Sequence, residues 1–174
     1  MDNSSILYQI GNTPLVKLIQ PSELTGCNIY GKAEYLNPGE SIKDRAALFI
    51  VKEAIKNKKI KEGGTVVEGT AGNTGIGLAI VCKEYKLKLK IVIPKTQSQE
   101  KKATLVKLGA DLIEVDAVPY SNPKNYIKQS KEIAEKLSTT EKNGVLWSNQ
   151  FDNLANTKAH LNTTAEEIWT QTAG

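Results

Sequence analysis

The feature that most constrains the fold is a regular alternation of strand-like and helix-like segments over residues 65–148. Short runs rich in Val, Ile and Leu predict strands, and the stretches between them have the length of helices. Strands that alternate with such helices are typical of an α/β fold. We therefore predict a parallel sheet with helices on both faces, a three-layer αβα arrangement. The predicted strands cover residues 65–68, 89–93, 111–115 and 145–148, and the predicted helices cover residues 74–85, 96–108 and 122–137.

The segments outside this alternation are less regular. Residues 1–40 contain two short strand patterns, and a turn-forming stretch then leads into a helix that Ser41 can cap. Two further helices follow the last strand of the sheet. The two strands cover residues 15–18 and 29–34. The three helices cover residues 42–57, 153–158 and 164–172.

The composition argues against several classes of function. The 23 basic residues barely exceed the 19 acidic ones and lie scattered, and aromatic residues make up only 6% of the chain, so no nucleic-acid surface is expected. One histidine, His160, and two distant cysteines, Cys27 and Cys82, predict no metal site. The sequence starts without a signal-peptide pattern, and no apolar run is long enough to cross a membrane. We therefore expect a cytoplasmic protein with free cysteines.

A glycine-rich turn follows the first predicted strand of the sheet. Gly72, Gly75 and Gly77 stand close together, with Asn73 and Thr74 between the first two. Backbone N–H groups at the start of the next helix make such a turn a site for anions. The order of the glycines excludes the dinucleotide-binding fingerprint, and the absence of a following lysine excludes the P-loop. The alternative, a tight turn whose glycines only allow close packing, stays open.

A second constellation surrounds Lys43, which falls in the first turn of the predicted helix 42–57. The positive end of the helix dipole disfavours an ammonium there, so a partly buried lysine would offer a neutral amine more readily. A neutral amine is what a Schiff base with an aldehyde requires. Taken alone, Lys43 is interpreted equally well as a surface lysine, and we interpret Asp44 and Arg45 as charge partners at the helix end.

A third constellation, residues 148–153, follows the last predicted strand. Because the carboxyl ends of parallel strands meet at one edge of a sheet, this segment is expected near the glycine turn, where Gln150 offers neutral donors. The alternative is a polar loop in which Asn153 caps the next helix.

Together, these segments resemble the cysteine synthases (O-acetylserine sulfhydrylases), which are fold type II pyridoxal-phosphate (PLP) enzymes. Residues 37–46 are similar to the family's lysine motif and residues 70–75 to its asparagine loop. Residues 149–153 match a third family segment, and residues 10–16 resemble the family's start. The motifs follow the family's order, and the similarity covers nearly the whole chain.

The resemblance implies a role for each matched residue. Lys43 would hold PLP as a Schiff base and remove the α-proton of the substrate, and Asn73 would hydrogen-bond the phenolic oxygen of the cofactor. The reaction would replace the acetate of O-acetylserine with sulfide to give L-cysteine. The residues that would bind the α-carboxylate of the amino acid are Thr70, Ala71 (through its backbone N–H), Asn73, Thr74 and Gln150.

The sequence departs from the family's pattern in two ways. Gly69 and Ala71 stand where the family usually has proline and serine, which removes one hydroxyl from the carboxylate site. Family members also continue well past residue 174, through a loop that grips the PLP phosphate, so we expect this chain to hold PLP weakly or not at all.

The domains implied by the resemblance are strands within 1–40 that join a second domain, an α/β domain at 41–160 that carries the site, and the start of the second domain at 161–174.

Two interpretations of function stay open at this point. In the first, the chain is a cysteine synthase-type PLP enzyme for a small amino-acid substrate, with the activity of the short chain alone in question. In the second, it is a non-catalytic truncated domain that serves as an interaction or ligand-binding module. The resemblance adds serine acetyltransferase as an expected partner, and exposed apolar edges add self-association into a homo-oligomer.

Overall fold

The computed structural model describes residues 5–70 and 72–174 and contains two sheets. Near the N-terminus, β1 (Leu15–Lys17) and β2 (Tyr30–Lys32) form an antiparallel ribbon. The larger sheet has four parallel strands in the spatial order β5-β4-β3-β6. These strands are β3 (Thr65–Gly69), β4 (Lys88–Pro94), β5 (Asp111–Val115) and β6 (Val145–Trp147).

Helices connect and cover the strands. They are α1 (Ile19–Thr25), α2 (Lys43–Lys56), α3 (Asn73–Glu84), α4 (Gln99–Lys107), α5 (Tyr126–Ser138), α6 (Leu154–Ala159) and α7 (Ala165–Gln171), with short 3₁₀ turns at Ile6–Gln9 and Glu34–Leu36. Among the described residues, no helix combines the length and the apolar character that crossing a membrane requires.

The helices form layers on both faces of the large sheet. The chain steps from β3 to β4 to β5 in one direction and then returns past β3 to β6. Because such crossovers are right-handed, the reversal places α5 on the face opposite α3 and α4. The contacts agree, since α5 packs on β3, β4 and β6, whereas α3 packs on β4 and against α2. The predicted α/β fold with helices on both faces is confirmed.

The two central strands are buried on both sides. Every residue of β3 is buried, and Ile91, Val92 and Ile93 of β4 have no exposed surface. Such continuous apolar runs are expected where helices cover both faces of a parallel sheet. The core therefore lies directly beneath the carboxyl edge of β3, and it fixes where the loops at that edge can go.

Several element boundaries differ from the sequence-based expectation. Helix α5 begins at Tyr126 rather than at residue 122, because the side chain of Asn125 accepts a hydrogen bond from the N–H of Ile127 at 3.0 Å and caps the helix there. Helix α1 was not predicted. The two predicted C-terminal helices are joined by a π-helical turn, His160–Thr164, so that α6, this turn and α7 follow one another without a break.

A buried ionic network joins the N-terminal ribbon to α7. Arg45, of which 1% is exposed, donates two hydrogen bonds to Glu34 at 2.8 and 2.9 Å and two to Glu167 at 2.6 and 2.8 Å. Its guanidinium also donates to the hydroxyls of Thr13 and Thr163. The interpretation of Arg45 as a charge partner at a helix end is therefore wrong, because its partners lie on three distant segments.

Candidate active site

The large sheet has a switch in strand order between β3 and β6. In open α/β sheets, a ligand binds in the crevice beyond the carboxyl ends of the strands at such a switch point. The glycine turn follows β3, and the segment 148–153 follows β6. The structure therefore brings two of the three predicted constellations to the one crevice that the topology creates.

A direct hydrogen bond joins these two constellations. The hydroxyl of Thr74 donates to Oε1 of Gln150 at 2.5 Å, and both residues are buried. Thr70 is also buried, and its hydroxyl accepts a hydrogen bond from the N–H of Gly72 at 3.2 Å. Asn73 is the first residue of α3 and is exposed. Ala71, predicted to bind the substrate through its N–H, lies outside the described residues.

Lys43 is the first residue of α2 and is half-buried. The N-cap position of this helix is Ile42 rather than the predicted Ser41, and the hydroxyl of Ser41 accepts a hydrogen bond from the N–H of Lys43 at 3.2 Å. Within residues 5–70 and 72–174, no hydrogen bond or ion pair engages the ammonium of Lys43. His160 lies close enough to be influenced by it: burial lowers the pKa of His160, and the positive charges of Lys43 and Arg45 lower it further.

The helix that carries Lys43 crosses α3 close to the glycine turn. A β-carbon added at Gly77 would lie 3.0 Å from Oδ1 of Asp44 and 3.1 Å from its Cα. Gly77 stands about one helical turn beyond Asn73, and Asp44 follows Lys43 directly. The close crossing at Gly77 thus places the start of α2 beside the start of α3, so that all three predicted constellations lie in one region.

Asp44 is a buried carboxylate that the sequence-based interpretation took as a charge partner at the helix end. It has no exposed surface, its Oδ2 accepts the N–H of Gly39, and its Oδ1 has no hydrogen-bond partner among the described residues. Burial raises the pKa of Asp44 to about 6, and the N–H of Gly39 opposes this rise. The charge of Glu34 raises it further.

Glu68 is a second buried carboxylate, and the sequence analysis assigned it no role. It stands next to last in β3, 1% exposed, and accepts hydrogen bonds from the hydroxyl of Ser148 and from Nε2 of Gln150. Burial raises the pKa of Glu68 to about 7, although these hydrogen bonds oppose the rise. The signal available in the sequence was a single charged residue inside a strand pattern whose other residues are uncharged.

The structure explains why residue 69 is a glycine, where the sequence departs from the family's proline. A β-carbon added there would lie 2.7 Å from the carbonyl oxygen of Tyr126, 2.8 Å from Cα of Ile127 and 2.8 Å from Oγ of Ser130. The first turn of α5 therefore occupies the space that a side chain at residue 69 would need. The departure serves the packing of α5 on the sheet rather than a contact in the crevice.

Comparison with known proteins identifies the family of the chain. The family model described as pyridoxal-phosphate dependent enzyme matches residues 6–174. Cysteine synthase 1 of Neurospora crassa is 55% identical over 165 residues, which are 95% of this chain and 43% of that protein. A cysteine synthase of Staphylococcus aureus is 42% identical over 171 residues, which are 98% of this chain and 52% of that protein. The resemblance to cysteine synthases is therefore confirmed.

Solved structures show the same fold. A hydrogen sulfide-producing enzyme from Fusobacterium nucleatum superposes with a TM-score of 0.84 at 41% identity, covering 99% of this chain and 54% of that one. An O-acetylserine dependent cystathionine beta-synthase from Helicobacter pylori gives a TM-score of 0.83 at 35% identity, covering 98% of this chain and 54% of that one. The chain spans about half the length of the curated relatives it matches. It belongs to the family of pyridoxal-phosphate dependent enzymes.

Proposed function

We propose that this chain carries the lysine and the carboxylate-binding part of a cysteine synthase-type active site. The reaction replaces the acetate of O-acetylserine with sulfide and yields L-cysteine. The observation that carries the proposal is the hydrogen bond between Thr74 and Gln150 at the switch point, beside the helix that begins with Lys43. The resemblance to relatives named cysteine synthase supports the choice of reaction.

The residues in this region suit PLP. The amine of Lys43 is half-buried and has no hydrogen-bond or ion-pair partner in the described part of the chain, so it is free to attach the aldehyde of the cofactor. The exposed side chain of Asn73 would donate a hydrogen bond to the phenolic oxygen of PLP. When bound, PLP supplies an electron sink for negative charge at the α-carbon of the substrate. Lys43 Nζ would take up the α-proton.

The substrate carboxylate would be bound by neutral groups and by the start of α3. The N-terminus of a helix attracts anions through its free N–H groups and its dipole. Thr74 now donates its hydroxyl hydrogen to Gln150, so a carboxylate that enters has to displace this bond. We name this set of donors, formed by Thr70, Asn73, Thr74, Gln150 and the N–H of Ala71, the carboxylate cradle.

The test is L-cysteine formation from O-acetylserine and sulfide with PLP added. We expect Lys43→Ala to lower the rate by about 10²–10⁴-fold, because it removes both the attachment point and the base. Lys52→Ala, an exposed position on the same helix, is the matched control and should leave the rate unchanged. Equal rates for Lys43→Ala and Lys52→Ala would contradict the proposed role.

The remaining expectations stay predictions. They are the weak retention of PLP, the partner serine acetyltransferase, self-association, and the division into segments at 1–40, 41–160 and 161–174. A purified chain that folds, binds PLP on no residue and forms no L-cysteine would instead favour the non-catalytic interpretation.

A further inference from the structure

Glu68 has an arrangement of partners that the proposed reaction does not by itself require. Two side chains of the following loop donate to its buried carboxylate: the hydroxyl of Ser148, and Nε2 of Gln150 at 3.3 Å. Both lie within residues 148–150, and neither is charged. A buried carboxylate that is bound by neutral groups is costly, so its presence calls for a role that an apolar residue could not fill.

The carboxylate shapes the loop that carries Gln150. Asn149 has a φ of +43°, a left-handed conformation that asparagine tolerates better than most residues. Glu68 binds this loop on both sides of the bend, through the hydroxyl of Ser148 and Nε2 of Gln150. Without the carboxylate, these two buried donors would lose their acceptor, and the loop would lose the contacts that hold the bend in place.

The same carboxylate also selects one orientation of the Gln150 amide. A carboxylate can only accept hydrogen bonds, so it binds Nε2 of Gln150 and repels Oε1. Oε1 is thereby turned toward Thr74, whose hydroxyl donates to it. Among residues 5–70 and 72–174, the second hydrogen of Nε2 has no acceptor, so it remains for a ligand. Glu68 thus decides which atoms Gln150 offers within the carboxylate cradle.

We propose that Glu68 is a positioning residue for the carboxylate cradle: it holds loop 148–150 in its bent form and orients the amide of Gln150 toward Thr74. The inference rests on the proposed function only for the identity of the ligand, an amino-acid carboxylate. The placement of the loop and of the amide is a property of the chain itself, with or without a cofactor.

The first test follows the amide signals of the chain by NMR between pH 5 and 9. We expect the side-chain NH₂ of Gln150 and the N–H of Asn149 to shift together as Glu68 gains its charge, with a midpoint of about 7. Glu68→Gln should abolish this joint shift. Glu100→Gln, at an exposed position in the first turn of α4, is the control and should preserve it. Signals of Gln150 that do not respond to pH in the wild-type chain would overturn the proposal, even if the variant does not fold.

The second test adds L-serine as a carboxylate-bearing probe and follows the same signals. We expect binding about fivefold weaker or worse in Glu68→Gln, the effect of about one lost hydrogen bond, and unchanged binding in Glu100→Gln. Equal affinity in Glu68→Gln and wild type would contradict the positioning role. If L-serine moves no signal in the wild-type chain, the carboxylate-binding function fails, while the pH titration still decides the role of Glu68.

Discussion

Asp44 shows how one residue beside Lys43 makes the stability of the protein depend on pH. Its carboxyl group is fully buried, one of its oxygens has no hydrogen-bond partner in the part of the chain that the structure describes, and burial raises its pKa from 3.8 to about 6. The folded state therefore prefers the protonated form. The stability that this preference contributes is present below pH 3.8 and is lost as the pH rises through 6.

Asp44→Asn should remove this pH dependence. The difference between the two pKa values corresponds to about 3 kcal/mol of unfolding free energy. The unfolding free energy of the variant should therefore lack this part of the decrease that the wild type shows between pH 4 and 7. Urea unfolding at a series of pH values measures it. The part of the decline that Glu68 causes should remain in the variant. Asp111→Asn, at an exposed position, is the control, and its unfolding free energy should change with pH as that of the wild type does. If the curve of unfolding free energy against pH for Asp44→Asn runs parallel to the wild-type curve, Asp44 does not titrate as described.

At the scale of elements, the contact between α5 and β3 depends on Gly69. The atoms nearest to an added β-carbon include backbone atoms of Tyr126 and Ile127, which cannot rotate away as a flexible side chain could. A methyl group at residue 69 therefore has to push the start of α5 off the sheet. This edge of the sheet also carries Glu68, so the packing of α5 and the geometry of the crevice are linked.

We expect Gly69→Ala to destabilise the protein by about 1–3 kcal/mol through overpacking. Gly72→Ala offers a matched control on the same turn, because an added β-carbon there would meet no atom of a non-adjacent described residue within 4 Å. That variant should stay within about 0.5 kcal/mol of wild type. The urea midpoints of the two variants measure the difference, and equal midpoints would mean that α5 does not approach the strand as closely as described.

For the molecule as a whole, the Arg45 network connects the N-terminal ribbon and α7 to α2, the helix that carries Arg45. Arg45 is the only arginine in a chain rich in lysine, and it binds two carboxylates at once through its planar guanidinium. Lys32 adds an ion pair to Glu167. Burial opposes the ionised form of Glu167, but the hydrogen bonds from Arg45 and Lys32 outweigh it and lower the pKa of Glu167 to about 2. The stability from this group is present above pH 4.5 and is lost as the pH falls toward 2.

Breaking the network should be far more costly than breaking a surface ion pair. Arg45→Met leaves two carboxylates without their partner, and we expect a loss of about 3–5 kcal/mol. Glu167→Gln is a milder variant for the case that Arg45→Met does not fold. Lys136→Met removes an exposed pair with Glu132 and should cost less than about 0.5 kcal/mol. Urea unfolding gives all three values, and a cost for Arg45→Met similar to that for Lys136→Met would refute the structural role.

The sequence could predict those features that depend on local patterns. The apolar run around Val66 and the β-branched character of β4 and β5 determine strands, and Asn153 was expected as a cap and does accept the N–H of Ala155. The motif residues were also predicted at the correct edge of the sheet, its carboxyl edge, because the strand order places the ends of β3 and β6 side by side.

Features that depend on distant contacts were beyond such patterns. The roles of Arg45 and Glu68 follow from partners more than 75 positions away, such as Glu167 and Ser148, which no local periodicity can reveal. The π-helical turn was missed because its residues have no distinctive propensity, yet Thr163 in this turn bonds Arg45.

The most direct test of the account is to find which lysine PLP attaches to. Borohydride reduction fixes even a weakly held cofactor on the amine that carries it, and peptide mass mapping then identifies the residue. The account predicts selective labelling of Lys43, because its half-buried amine has no ion-pair or hydrogen-bond partner in residues 5–70 and 72–174 and lies beside the start of α3. Labelling spread evenly over the exposed lysines, or unchanged in total by Lys43→Ala, would contradict it.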